Sequence, residues 1–232
     1  MASSLLSVIL PVYNQADHLR DVIVKYEESL RNIPIAHELI LVPNGCTDAS
    51  ADICKKLSQE FPSVRVRASD RRGWGHAVRL GLAESRGDPI CYTNLSRTQP
   101  EDLTLLLLYA VANPGAVIKT NRKIRESALR RIGSLLYNLE CRMFFDLSYW
   151  DINGTPKVFP RKFNKLVSLS CEDDLIDLEF IIRCRRENHP VLEVPTFSNR
   201  RFGGKSTTNL RSAFRMYWGA FKIWREQNGR PL

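Results

Sequence analysis

Three stretches of this chain carry residue types that do chemistry on charged small molecules. The first is Ile90 to Leu103, reading I-C-Y-T-N-L-S-R-T-Q-P-E-D-L. It has the pattern of a buried strand end, a polar turn, and a helix opened by Pro100-Glu101-Asp102. The turn offers Thr93, Asn94, Ser96 and Arg97, and no carboxylate before Glu101. The second is Arg71-Arg72-Gly73-Trp74-Gly75. Backbone N–H groups, a helix start and two guanidiniums there suit a diphosphate. A plain glycine turn with solvated arginines would read the same way. The third is the acidic cluster Glu172, Asp173, Asp174, Asp177 and Glu179. Asp177 and Glu179 lie two apart and so face different ways on a helix. One is expected to point at a cleft, where Asp177 would be a general base, and the other to pack at its edge. Asp173 and Asp174 read as charges at a helix N-terminus.

The elements that must position these stretches follow from hydrophobic patterning. Leu5–Leu10, Glu38–Val42, Val64–Ala68, Pro89–Thr93 and Ala116–Lys119 are short apolar runs that read as strands. Between them lie helical patterns over Gln15–Leu30, capped by Asn14, and over Ala49–Glu60, Ala77–Ser85 and Glu101–Ala112. This alternation predicts an α/β fold with a mainly parallel sheet and helices on both faces. In such sheets, ligands bind at the carboxyl ends of the strands. Further on, the patterns predict a long helix over Arg125–Phe145, a polar turn Asp151–Thr155 and a strand Lys157–Phe159. A helix over Leu175–Glu187, a strand Val191–Pro195, a basic loop Phe197–Ser206 and a helix Ser212–Gln227 complete the chain.

The 232 residues allow one large α/β domain or two small ones, and 44% hydrophobic content supports an ordinary core. A net charge of +9 favours anionic partners: phosphorylated small molecules, an anionic membrane face or nucleic acid. Nucleic acid is disfavoured, because no helix-turn-helix, finger or RNP-like aromatic motif is present. The six cysteines form no C-x-x-C pair and read as reduced thiols of a cytosolic protein. His18, His37, His76 and His189 share no metal-ligand spacing and read as surface or packing residues. The longest apolar run, Leu103–Ala112, is too short to span a bilayer. In the last helix, Phe214, Tyr217, Trp218, Phe221 and Trp224 share one face flanked by Arg211, Arg215 and Lys222. Such a helix either lies in a membrane interface or packs on the domain or a second subunit.

Several motifs then line up in order. Val8-Ile9-Leu10-Pro11-Val12-Tyr13-Asn14 resembles the opening strand of family-2 (GT-A fold) glycosyltransferases. Leu39 to Asp48 is similar to their second strand, Arg72 to Leu82 to their glycine-containing segment, and Pro100-Glu101-Asp102-Leu103 to the stretch after their metal motif. The later part looks most like the polyprenyl-phosphate branch: Thr120-Asn121-Arg122, Arg130-Arg131, Ser134, Asn138, Asp151-x-x-Gly154-Thr155, Leu178-Glu179-Phe180, Glu193-Val194-Pro195 and Asn199-Arg200-x-Phe202-Gly203. The resemblance implies a single GT-A, Rossmann-like domain over residues 1–210. Its 1–120 half would bind nucleotide sugar and its 121–210 half the acceptor, with an amphipathic helix over 211–232.

The departures from the family pattern are as informative as the matches. Of the paired acids of the second strand, the first position is Pro43 and the second Asn44. The D-x-D falls on Thr93-Asn94-Leu95, and a further metal-side Gln position is Arg97. No metal-holding residue is therefore assigned and no cofactor is expected, although a divalent metal stays open. The resemblance implies a donor site of Pro11, Tyr13, Asn14, Asn44, Arg72, Gly73, His76, Thr93 and Asn94. It places acceptor-phosphate contacts at Arg122, Arg131, Ser134, Arg200 and Lys205. Asp177 and Arg97 are the expected catalytic pair, Arg97 neutralising the leaving diphosphate in place of a metal. The implied activity is transfer from a nucleotide-diphosphate sugar to a polyprenyl phosphate or other membrane-associated acceptor. The expected location is the cytoplasm, peripheral on the membrane face, with homo- or hetero-oligomers through 211–228 as a further expectation. The alternative is an inactive sugar-nucleotide-binding or scaffold subunit.

Overall fold

The computed structural model describes residues 5–124, 128–197, 201–203 and 210–228. Its elements run β1 (Leu5–Val12), α1 (Leu19–Leu30), β2 (Ala36–Pro43), α2 (Ser50–Glu60), β3 (Val64–Val66), α3 (Trp74–Glu84), β4 (Ile90–Tyr92) and α4 (Pro100–Ala112). They continue β5 (Val117–Arg122), α5 (Ala128–Phe145), β6 (Lys157–Phe159), α6 (Asn164–Val167), α7 (Ile176–Arg186), β7 (Val191–Thr196) and α8 (Leu210–Asn228). The strands form one sheet in the order β3-β2-β1-β4-β6-β5-β7. All pairings are parallel except those of β6, which runs antiparallel between β4 and β5. The expected α/β architecture, a Rossmann-like and mainly parallel sheet with helices on both faces, is the one observed.

Strands buried on both faces read as continuous apolar runs, as β1, β2 and β4 do. Alternate residues of β1 point to opposite layers. Leu6, Val8 and Leu10 meet Leu19, Val22 and Tyr26 of α1 and Leu103 and Leu106 of α4. Ile9 meets the other layer, formed with Ala77 and Val78 of α3 and Phe180 and Ile181 of α7. There Gly81 lets α3 come close, since a Cβ at that position would lie 2.1 Å from Ile9 Cγ2. Both halves of the sequence share this sheet, because β6 sits between β4 and β5.

The order places β4 beside β1 on the side away from β2, so the progression of strands across the sheet reverses between β1 and β4, which run parallel. The crevice at that switch, beyond Val12 and Tyr92, is where ligands of such sheets bind.

One expected boundary differs. Helix α1 begins at Leu19, and Asn14 does not cap it. Asn14 takes a left-handed φ of 49°, as asparagine readily does. Its side chain accepts from Thr47 N (2.8 Å) and donates to Thr47 Oγ1 (3.0 Å), tying the end of β1 to the end of β2.

The α8 stripe does two things. Tyr217 OH donates to Gly133 O of α5 (2.7 Å), Tyr217 meets Tyr137 edge-on, and Trp224 stacks on Phe144 at 5.0 Å. Phe214 (71%) and Trp218 (58%) stay exposed. Helix α5 exposes Ile132, Leu135, Leu136, Leu139 and Met143 along one side. Among the described residues, no helix is long and apolar enough to cross a membrane.

Candidate functional site

The turn after β4 is fixed by its own polar groups. The hydroxyls of Thr93 and Thr98 hydrogen-bond at 2.6 Å, both buried. Asn94 O accepts the N–H groups of Arg97 (3.1 Å) and Thr98 (3.0 Å). Leu95 points into the core. Asn94 Oδ1 is buried without a partner among the described residues, and Arg97 is half-buried. Thr93, an expected donor contact, thus has its hydroxyl engaged inside the turn. A divalent ion prefers several hard, mostly anionic oxygens. One neutral amide oxygen beside an apolar side chain and a guanidinium does not fit it. Among the described residues, no three His, Cys, Asp or Glu side chains gather as a ligand set.

Asn44 ties three chain segments together. Its Nδ2 donates to Val12 O (2.9 Å) and Val42 O (3.1 Å), and its Oδ1 accepts Gly73 N (3.1 Å). Both amide hydrogens are therefore used, and the expected hydrogen bond from Asn44 to a donor nucleotide has no free donor. It acts instead as the splint that sets the spacing of β1, β2 and the 69–76 loop.

The Arg71–Gly75 loop, with the expected donor contacts Arg72, Gly73 and His76, packs against the 171–173 backbone. A Cβ on Gly73 would lie 2.7 Å from Glu172 O, and one on Gly75 would lie 2.5 Å from Cys171 O. His76 N donates to Glu172 O (2.9 Å), and the His76 ring bonds Ser69 Oγ (2.9 Å). Arg71 pairs with the Glu172 carboxylate, as does Arg79 (3.1 Å). Glycine is required at both positions because the 171–173 backbone occupies the space a side chain would take. Arg72 remains exposed, its guanidinium 4.2 Å above the Tyr13 ring at the end of β1. Pro11 is buried within β1.

Asp177, in the first turn of α7, is 5% exposed and bonded on both oxygens. Oδ1 accepts Tyr92 OH (2.9 Å) and the ammonium of Lys157, and Oδ2 accepts Trp74 Nε1 (3.0 Å). Lys157 is fully buried, with Tyr92 and Phe180 rings beside it. Burial pulls the Lys157 ammonium below its ordinary value, against the opposing pull of Asp177. Glu179, the other candidate, sits at the edge: it accepts Ser170 N (2.9 Å) and Cys171 N (2.7 Å) and pairs with Arg183. Asp173 Oδ1 accepts Leu175 N (3.0 Å), the helix-start role expected of it.

On the far side, Arg122 ends β5. Its Nε and Nη2 bond both Asp151 oxygens at 2.8 Å, and Nη2 also bonds Asn153 O. Burial opposes its charge, but Asp151 outweighs burial and the guanidinium is held more firmly protonated. Asn138 Nδ2 donates to Ser134 O (2.6 Å), and its Oδ1 accepts Ile152 N (2.8 Å). Ser134 is half-buried on α5 and Arg131 is exposed there. Arg200 and Lys205 lie outside the described residues.

Sequence reasoning missed Lys157, Lys119 and the ring partners of Asp177. The available signal was a lysine inside each of two short apolar strands. Lys119 and Lys157 are in fact cross-strand neighbours, and Lys119 is held by Glu193 (2.8 Å) and Trp150 O (2.6 Å).

Comparison with known proteins places this geometry in a family. The chain is 31% identical over 174 residues to the undecaprenyl-phosphate 4-deoxy-4-formamido-L-arabinose transferase of Pseudomonas paraeruginosa, covering 73% of this chain and 50% of that protein. It is 30% identical over 138 residues to the protein of the same name from Salmonella choleraesuis, covering 57% and 42%. The chain thus spans about half the length of the curated relatives it matches. Among solved structures, glucosyl-3-phosphoglycerate synthase from Mycobacterium tuberculosis, in complex with Mn2+, UDP-glucose and phosphoglyceric acid, aligns at a TM-score of 0.75 and 16% identity, covering 100% of this chain and 82% of that one. A mycobacterial protein aligns at 0.76 and 17%, covering 100% and 77%. These likenesses show a shared fold. The description Glycosyl transferase family 2 matches residues 7–166, more than half of the sequence, and the chain belongs to that family.

Proposed function

We propose that this protein transfers a sugar from a nucleotide-diphosphate sugar to a polyprenyl phosphate, without a divalent metal. The observation that carries this reading is the state of Asp177. A general base needs a free lone pair near the acceptor hydroxyl. Asp177 has three donors on its two oxygens, one of them a buried ammonium. A phosphate acceptor is already ionised at neutral pH and needs no base. The names of the relatives, transferases acting with undecaprenyl phosphate, agree with that acceptor class.

In the proposed reaction, a phosphate oxygen of the acceptor attacks the anomeric carbon. A new C–O bond forms to the acceptor phosphate while the C–O bond to the nucleoside diphosphate breaks. No proton moves. Negative charge grows on the leaving diphosphate, and Arg97, aided by Arg72, offsets it. Arg122 and Arg131, with Arg200 and Lys205, hold the acceptor phosphate. The exposed apolar sides of α5 and α8, with Arg131, Arg215 and Lys222 beside them, would rest on an anionic membrane face and present the lipid phosphate to that site.

A second reading, a non-catalytic member of the family, is favoured by the absence of carboxylates at Thr93, Asn94 and Leu95. One experiment separates the two. UDP-, GDP-, CMP- and dTDP-sugars are screened by thermal shift with and without EDTA, and the stabilising donor is then offered a short-chain polyprenyl phosphate on anionic vesicles. Transfer that EDTA leaves unchanged is the expected result. Activity abolished by EDTA and restored by Mn2+ overturns the metal-free mechanism. Stabilisation by none of the donors establishes the non-catalytic reading.

A further inference from the structure

His18 read as a packing residue in the sequence, yet it sits at the junction of two parts of the site. It is 6% exposed, just before α1. Its Nδ1 lies 2.6 Å from Asp17 Oδ1, and its Nε2 lies 3.2 Å from Ser96 Oγ. Ser96, 3% exposed, belongs to the same turn as Asn94 and Arg97. The carboxylate favours the ring proton on Nδ1, which leaves Nε2 to accept the Ser96 hydroxyl.

The third contact comes from the C-terminal part of the chain. Ser96 O accepts Phe202 N at 3.0 Å. A Cβ on Gly203 would lie 2.6 Å from both Asp17 Oδ2 and His18 Nδ1. The segment Arg201–Gly203 therefore lies directly on the Asp17–His18 pair and clips to the Ser96 backbone. It joins the stretches that carry Arg200 and Lys205.

An aspartate, a histidine and a serine in this order suggest an activated nucleophile. The surroundings argue against that role. Ser96 is buried, and the N–H groups of Arg97 and Thr98 are already bonded to Asn94 O, so they cannot serve as an oxyanion hole. What the arrangement does is link.

We infer that His18 is a positioning residue: through Ser96 it holds the turn carrying Arg97 in register with Arg201–Gly203, so one side chain sets both sides of the site. The catalytic part of this inference rests on the function proposed above; the structural part does not.

The test compares wild type with His18→Phe, His18→Asn, Ser96→Ala and the double variant His18→Phe/Ser96→Ala. Two readouts are taken: hydrogen exchange at the Phe202 amide without ligand, and kcat and KM for the nucleotide sugar. His18→Phe keeps the volume and loses both bonds. It should speed Phe202 exchange about tenfold or more. It should lower kcat about tenfold while KM moves less than about twofold. His18→Asn, which can still bridge acceptor and donor, should recover most of both. The double variant should be no worse than His18→Phe, because the two residues act as one unit. The inference fails if His18→Phe leaves exchange and kcat within about twofold of wild type, or if the two single losses simply add. If His18→Phe does not fold, Ser96→Ala decides by the same readouts. If the wild type transfers no sugar, the exchange readout alone decides the coupling, and only the proposed function is lost.

Discussion

The turn Thr93–Gln99 follows β4 directly and the cluster around Asp177 is tied to β4 through Tyr92, but the two handle charge in opposite ways. In the turn, the three positions on which the resemblance puts a D-x-D carry Thr93, Asn94 and Leu95, and Arg97 follows two residues on. Its order comes from neutral hydrogen bonds such as the 2.6 Å pair of Thr93 and Thr98. Around Asp177 a carboxylate is kept, but it is buried and matched to Lys157, Tyr92 and Trp74. The acid is thus neutralised within the protein, whereas positions 93–98 of the turn supply a guanidinium and no carboxylate of their own. That difference teaches that one region matches its charge inside the core, whereas the other is ordered by neutral groups.

The comparison can be broken most forcefully at the ion pair. Lys157→Met leaves Asp177 buried and uncompensated, which should cost about 3–5 kcal/mol of stability by urea unfolding. A loss below about 1 kcal/mol would mean that water reaches Asp177, reopening its role as a base.

The turn is tested by Arg97→Ala. If the guanidinium offsets charge on the leaving diphosphate, kcat/KM for sugar transfer should fall about a hundredfold, on the order of 2.7 kcal/mol of transition-state stabilisation. Partial recovery by added guanidinium would sharpen the assignment, whereas an unchanged kcat/KM removes Arg97 from the mechanism.

The smallest effect concerns Glu179, the carboxylate at the edge of the Asp177 cluster. Burial pushes its carboxyl up, but Ser170, the Cys171 N–H and Arg183 outweigh burial and hold it below the usual range. A lowered folded value stabilises the protein above the unfolded value, near 4.3 for glutamate, and that contribution disappears as pH falls through the folded value. Glu179→Gln should therefore destabilise the protein by about 1–2 kcal/mol at pH 7. The difference between variant and wild type should shrink toward zero as the pH is lowered past that window. A gap independent of pH would show that shape, not charge, is what Glu179 provides.

Much of this molecule was legible because its strands are buried on both faces. Leu5–Val12 and Ala36–Pro43 are apolar runs bounded by turn residues, and no other reading suits them. The ends of elements were harder. Asn14 looks like a helix cap, and only its left-handed backbone and its bonds to Thr47 show that the helix starts five residues later. The antiparallel insertion of β6 was hidden because three residues carry no directional signal. The Gly73 and Gly75 pattern was visible, but its cause was not. A glycine admits either a phosphate or another backbone, and the Glu172 carbonyl lies about a hundred residues away in sequence. The partners of Asp177 and His18 were illegible for the same reason: bonds such as Tyr92 to Asp177 and Ser96 to His18 join residues that only the sheet brings together. The stripe on α8 was read correctly as aromatic and one-sided. That it would divide between packing on α5 and exposure depended on where α5 lay.

The two lysines facing each other across β5 and β6 have a consequence for reactivity. Lys119 and Lys157 are both fully enclosed, and each ammonium is engaged by a carboxylate. An amine acylates only when a reagent can reach it, and neither of these two is reachable while the sheet is intact. Reagents that modify surface amines would leave this pair for last. Their labelling keeps time with the opening of the central sheet and not with the collisions of reagent at the surface.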